Sequence, residues 1–236
     1  LALRGLHDRA MNASNNMDDR KKMLQEALMA QRQMLVDAIG KRAEDIPQAF
    51  TPYKEVLDVY DQGLELPDDV TIIWPDDNYG YMKRLSSPKE QKRSGRSGVY
   101  YHSSYLGKPH DHLWMNTTSP TLMYEELRKA YDMTADRIWL LNAGDIKSCE
   151  FAVDYFLTMA FDIDSFNFER AANYRTEWLC GMLGDDYRTE YQDVINSFYK
   201  LAFARKPEFM GWGYQWTTDK HGRERNTDTD FSLANY

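Results

Sequence analysis

Three times in this chain an apolar run stops and ionisable or amide side chains follow. Val70-Thr71-Ile72-Ile73-Trp74 breaks at Pro75 into Asp76, Asp77, Asn78 and Tyr79. Gly98-Val99-Tyr100-Tyr101-His102 leads into Ser103, Ser104 and Tyr105, then His110 and Asp111; Arg137-Ile138-Trp139-Leu140-Leu141 leads into Asn142, Asp145 and Lys147. Carboxylates and imidazoles of this kind can hold and transfer protons, and the amide, phenol and ammonium groups can bind a polar substrate. Continuous apolar, β-branched runs mark strands buried on both faces. Strands that each deliver such groups at the C-terminal end are how a β/α barrel presents an active site.

Each candidate also has an ordinary structural reading. Asp76 and Asp77 are adjacent and point in opposite directions on an extended backbone, so one at most faces a pocket and the other suits a cap. Asn78 and Tyr79 offer a hydrogen bond and a ring, or simply a turn. His110-Asp111-His112 contains His-X-His, but no third ligand stands at a diagnostic spacing, so no metal is assigned. Lys147 beside Asp145 either clamps a carboxylate or neutralises the acid. His7 and Asp8, after Arg4, repeat the strand-end theme or form ordinary salt bridges. Gly-rich phosphate loops are absent, which leaves nucleotide chemistry and a nucleotide cofactor without support.

The 236 residues allow one large domain, or one domain with an appendage. The 42% apolar share is enough for a core, and the 14% aromatic share suits a core or a site that stacks on sugar rings. A formal charge of −8 argues against a nucleic-acid surface. Lys83, Arg84, Lys89, Lys92, Arg93 and Arg96 form a local exception, either a solvated loop or a basic rim that attracts an anionic substrate. The two cysteines, Cys149 and Cys180, lie in apolar helical pattern and read as free buried thiols. No apolar stretch is long enough to span a membrane, and the first residues do not form a signal peptide. They read as the end of another strand, as though the chain begins mid-domain.

The elements that must position these groups follow from spacing. Residues 16–39 predict a helix with Leu24, Leu28, Leu35 and Ile39 on one side, stopped by Gly40. A second helix is expected from Asp45-Ile46-Pro47 to about Asp61, with Pro52 inside it. Pairing of the first strand should stop at Pro75. Residues 79–97 predict a long loop with one short helix. Ser119-Pro120 starts a helix reaching about Ala135, and residues 148–161 predict another with Phe151, Tyr155 and Met159 on one face. Only helices follow, at 168–183 and 185–204, then a polar tail from Thr217 that should be exposed or poorly ordered. The fold class is therefore α/β, an incomplete eight-stranded TIM-type barrel over 1–167 followed by a helical segment over 168–236.

Five ordered motifs carry a resemblance. They are Arg4-Gly5-Leu6-His7-Asp8, Trp74-Pro75-Asp76-Asp77-Asn78-Tyr79-Gly80-Tyr81, Gly98-Val99-Tyr100-Tyr101-His102, Gly107-Lys108-Pro109-His110-Asp111 with Trp114, and Asn142-Ala143-Gly144-Asp145-Ile146-Lys147. Together they resemble glycoside hydrolase family 115, the xylan α-1,2-glucuronidases, over roughly Leu3 to Trp212. Arg205-Lys206-Pro207-Glu208 resembles the start of that family's helical domain. The resemblance implies inverting release of glucuronic acid or its 4-O-methyl ether from xylan branches, by a secreted or periplasmic parent acting on glucuronoxylan or its oligosaccharides. It implies no cofactor, no nucleic acid and no membrane, and it leaves room for a homodimer of the parent.

On this likeness Asp76 and Asn142 correspond to substrate-contacting positions, and His7, Asp8, His102, His110 and Asp145 are further candidates. Asp76, Asp145 and His102 are the candidate catalytic groups. His7, Asp8, Asn78, Tyr79, Tyr101, Tyr105, His110, Asp111, Trp114, Asn142 and Lys147 are the candidate substrate contacts. Two departures stand out. Early barrel strands and the domain before them are not in this chain, and Ser148-Cys149 follows the lysine where a proline is expected. The implied activity therefore belongs to the parent rather than to this chain alone. The alternative is a non-catalytic carbohydrate-binding or scaffold fragment, with a metal hydrolase using His110 and His112 a weaker third reading. An inverting glycosidase needs two carboxyl groups ~6.5–9.5 Å apart, which acids on different strands can supply and the adjacent Asp76 and Asp77 cannot.

Overall fold

Asn16 accepts a hydrogen bond from the backbone N–H of Asp18 at 2.9 Å and caps helix α1, Met17–Ile39. Gly40 ends the helix in the left-handed region at φ 71 and returns its N–H to the Val36 carbonyl. Of the expected apolar face, Leu24 and Leu28 are buried while Ile39 is exposed. The computed structural model describes residues 10–11, 16–105, 113–204, 216–218, 221 and 224–226.

The second predicted helix is corrected. Between a short helical turn at Ala43–Asp45 and helix α2, Glu55–Asp61, lies a two-residue strand, β1, Ala49–Phe50. Phe50 is fully buried among Leu24, Leu28, Val56, Val59, Leu64 and Val70. Prolines at 47 and 52 keep this stretch out of a helix, and two paired residues are too few to show a period.

Among the described residues, strands β2, Thr71–Pro75, β3, Ser97–His102, and β4, Ala135–Asn142, join β1 in a four-stranded sheet of order β1-β2-β3-β4. β1 and β2 pair in parallel as Ala49 with Thr71, and β2 and β3 as Ile72 with Ser97 through Pro75 with Tyr100. Along β3 and β4 the bonds from Ser97 N–H to Thr134 and from Ser103 N–H to Asn142 advance together, so this pair is parallel as well. Helices α2 and α3, Pro120–Asp132, lie in the connections between strands. This is an α/β fold carrying part of a TIM-type barrel. Gly98 permits the approach of β3 to β4, because a Cβ there would stand 2.1 Å from the Ile138 carbonyl oxygen. β4 lies at the end of the sheet and exposes Ile138 and Leu140.

Pairing outlasts Pro75 by one residue. Thr71 donates toward β1, to Gln48, while Ile72 and Asp76 donate toward β3, to Arg96 and Tyr100. By that alternation the missing N–H of Pro75 faces the side where β1 has already ended, so the proline costs the sheet no hydrogen bond.

The described residues form two compact units. The first, 1–77, 82–100 and 129–140, holds most of the sheet with α1 and α2. In it the three arginines of the basic run are drawn into internal bonds. Arg84 binds Glu90 and Asp61, Arg93 donates to the carbonyls of Leu66, Pro67 and Val70, and Arg96 binds Asp136. That favours a structural loop over a basic rim.

The second unit, 78–81, 101–128 and 141–236, is centred on helix α4, Glu150–Phe161. Tyr155 donates to the Pro120 carbonyl at 2.8 Å, and its ring meets Phe151, Phe166 and Tyr174 with centroids 5.0–5.9 Å apart. Helices α5, Phe168–Leu183, and α6, Arg188–Ala204, follow. Within the tail, β5, Trp216–Thr218, pairs antiparallel with β6, Glu224–Asn226. Part of the stretch expected to be poorly ordered is thus a ribbon. Cys149 and Cys180 are free and buried. Among the described residues no helix is long and apolar enough to cross a membrane.

Candidate active site

β1 and β2 run in parallel, so the residues after each emerge at the same end of that pair. On β2, Ile72, Trp74 and Asp76 share one parity, and Ile73, Pro75 and Asp77 the other. Trp74 is fully buried and locked. Its indole N–H donates to Ser86 Oγ at 2.9 Å, the Arg84 guanidinium lies 4.5 Å above the ring, and Tyr60 meets it edge-on at 5.9 Å. Glu90 holds that Arg84, and also accepts from Tyr60 Oη at 2.8 Å and from the Ser87 N–H at 2.6 Å. Burial opposes its ionisation, but the bonds from Arg84, Ser87 and Tyr60 outweigh this and hold the Glu90 carboxyl down to about 2.

Asp76 follows directly. It is 6% exposed, and its backbone N–H is fixed to the Tyr100 carbonyl at 3.1 Å. Asp77 lies 3.8 Å from the ammonium of the exposed Lys83. Both charges therefore have defined places, as the opposite parities require.

The end of β1 was missed in the sequence because the strand itself was. Thr51, Pro52, Tyr53 and Lys54 emerge there. The Tyr53 ring stands edge-on to Tyr100 with centroids 6.2 Å apart, and the Lys54 ammonium lies 5.0 Å from the centre of the Tyr53 ring. Lys54 has φ 51.

The second unit contains the remaining described candidates. Asn78 adopts φ 71 and is half-buried, like Tyr79. Tyr101 is fully buried, donates to the Gly80 carbonyl at 3.0 Å and stacks on Phe156, so its ring belongs to the core. His102 is 3% exposed and meets Tyr105 edge-on at 5.6 Å. The carbonyl of Asn142 accepts from the N–H groups of Ser103 and Ser104 and from Ser103 Oγ, at 3.1–3.3 Å. These serines were not candidates, since nothing in their spacing announces a backbone partner 39 residues away. Gly144, at φ 66, lies against Ser104, where a Cβ would come within 2.8 Å of Oγ. Asp145 is exposed and begins a short helical turn, Ile146–Ser148. Lys147 is 94% exposed and pairs with Glu150 at 2.8 Å, which raises its ammonium above the usual lysine value.

Trp114 lies in a single turn, Leu113–Met115. His7, Asp8, His110 and Asp111 lie outside the described residues, as do Arg4 and His112. Among the described residues no group of three or more His, Cys, Asp or Glu is placed to hold a metal ion. Clefts of about 580 and 420 Å³ lie in the first unit, and Asp76 lines neither of them.

A parallel sheet with a nearly buried carboxylate at the C-terminal end of a strand is the arrangement by which a β/α barrel presents an active site. The profile of glycosyl hydrolase family 115 matches residues 1–209, and the chain belongs to that family. No curated protein matches the chain. Among solved structures it is similar to one described as a novel family GH115 4-O-methyl-alpha-glucuronidase, BtGH115A, with specificity for decorated arabinogalactans. The two are 42% identical with a TM-score of 0.84, over 89% of this chain and 28% of that one. The chain thus spans little more than a quarter of that protein.

Proposed function

We propose that the protein acts as an α-glucuronidase, releasing glucuronic acid or its 4-O-methyl ether from side branches of a plant polysaccharide. The observation that carries this reading is Asp76, a nearly buried acid whose backbone is fixed to the neighbouring strand at the C-terminal end of β2. Membership of the family supports the reaction class, and the likeness to a glucuronidase supports the sugar released.

The mechanism we favour is inverting, with Asp76 as one member of the acid–base pair and a carboxyl group from another strand as the second. Asp145 is the candidate among the described strand ends, with His102 and Asn142 as hydrogen-bonding groups. The adjacent Asp77 is excluded as the second carboxyl by its parity and by Lys83. Xylan bearing α-1,2-linked uronate is the substrate that the motifs of the chain favour. Decorated arabinogalactan is the second reading, favoured by what the related structure is described as acting on. A secreted or periplasmic parent would meet polymers of this kind, and we put the boundary between barrel and helical domain near Asn167.

Free uronic acid released from each polymer by the intact enzyme tests the reading. Release from glucuronoxylan oligosaccharides above that from arabinogalactan supports the first, and the reverse order supports the second. Binding of either polymer without release of uronic acid leaves a carbohydrate-binding role.

A further inference from the structure

β1 lies next to β2, and its end presents Tyr53 and Lys54 beside the residues that fix Asp76. Tyr53 and Tyr100 meet edge-on, and Tyr100 is the residue whose carbonyl accepts the Asp76 N–H. The turn is tight: the Val56 N–H donates to the Tyr53 carbonyl at 3.1 Å, three residues back. Lys54 occupies its first central position with φ 51 and ψ −123. These angles mirror those of a type II turn, and in such primed turns the position normally belongs to glycine. A β-carbon at this position strains the turn, and the lysine side chain that it carries is exposed. Strain kept at the end of a strand that carries candidate catalytic groups points to work done by the side chain.

We infer that Lys54 is the recognition residue for the carboxylate of the uronic acid, with the Tyr53 and Tyr100 rings forming an apolar wall for the sugar. The inference rests on the glucuronidase reading above. A lysine ammonium is a compact charge on a flexible stem and can form charge-assisted hydrogen bonds to a carboxylate. Tyr53 keeps that ammonium over its ring, 5.0 Å from the centre, where the face of the aromatic favours a cation. Tyr rings also offer apolar faces to the C–H surface of a sugar and a hydroxyl at the rim.

The test compares an oligosaccharide bearing the free uronic acid with its methyl ester, which has the same glycosidic bond and no charge. In the intact enzyme Lys54→Gln is expected to lose about 10-fold or more in kcat/KM on the acid and little on the ester, the scale of one charge-assisted contact. Lys54→Gly is expected to lose the same preference and to melt at a higher temperature, because glycine accepts this backbone conformation. Equal losses on acid and ester, an unchanged preference for the acid, or a lower melting temperature for Lys54→Gly would each overturn the inference. A wild-type enzyme that releases no uronic acid from either substrate overturns the glucuronidase reading, and this inference with it. A wild-type enzyme that does so, while Lys54→Gln keeps its preference for the acid, overturns the inference alone.

Discussion

The backbone N–H of Asp76 donates to the carbonyl of Tyr100 at 3.1 Å, one residue beyond the proline that was expected to end the strand. The backbone of the acid is therefore held by the sheet ladder. Its carboxylate stands on the parity of Trp74, a ring fixed by Ser86, Arg84 and Tyr60. Rigid placement of this kind is what acid–base catalysis needs.

Glu90 makes the stability of that support dependent on pH. Its carboxyl falls from an ordinary value of 4.5 to about 2 in the folded protein. A depressed acid stabilises the fold above its unfolded value and loses that contribution as pH falls through its folded value. Urea midpoints measured from pH 7 downward should therefore decline between about 4.5 and 2 for the wild type. For Glu90→Gln the midpoint should be lower at neutral pH and flatter across that window. Parallel curves for the two proteins would show that Glu90 is not the group responsible.

Gly98 allows β3 and β4 to approach. A Cβ at this position would meet the Ile138 carbonyl at 2.1 Å, and backbone cannot yield as a side chain can. Gly98→Ala is expected to cost ~3 kcal/mol or more, in the range reserved for specific mechanisms such as overpacking. Denaturant unfolding of the soluble variant, or its absence from the soluble fraction, reads this out. A midpoint unchanged from the wild type would mean the strands separate without cost.

Lys147 pairs with Glu150 on its own turn and is almost wholly exposed. Lys147→Ala should therefore leave the melting temperature unchanged. Any effect it has on turnover should appear as weaker binding of the charged sugar, with a neutral glucoside unaffected. A drop in melting temperature would assign the residue to stability.

β4 is last in the sheet of the described residues and exposes Ile138 and Leu140, and an exposed apolar strand at a sheet edge invites association. Residues 1–236 prepared alone are expected to bind a hydrophobic dye and to self-associate. A monomer that melts cooperatively without binding dye would contradict this.

How much could be read from residues alone depended on length of signal. β2, β3 and β4 are each built around three or more consecutive apolar or aromatic residues, and all three were legible together with the residues that follow them. α1 was legible through Asn16 and Gly40, whose capping chemistry is local. β1 was not, because two paired residues between prolines carry no period, and with it Tyr53 and Lys54 were lost. Tyr101 shows a different limit. Alternation gives a residue its face of a strand, but that Tyr101 stacks on Phe156 depends on a helix 55 residues later, which no local pattern encodes. The basic run looked like a surface feature because its partners, Asp61, Glu90 and Asp136, are set by the fold and not by spacing.

The central claim is tested most directly by the release of free uronic acid from glucuronoxylan oligosaccharides by Asp76→Ala and Asp77→Ala in the intact enzyme, each compared with its melting temperature. Asp76→Ala should keep its melting temperature and lose ~100-fold or more in kcat/KM, the scale of a missing acid–base group. Asn142→Ala should lose a similar amount, as expected for a transition-state hydrogen bond. Asp77→Ala should lose stability and keep most of its turnover. Full turnover by a folded Asp76→Ala enzyme would contradict the account.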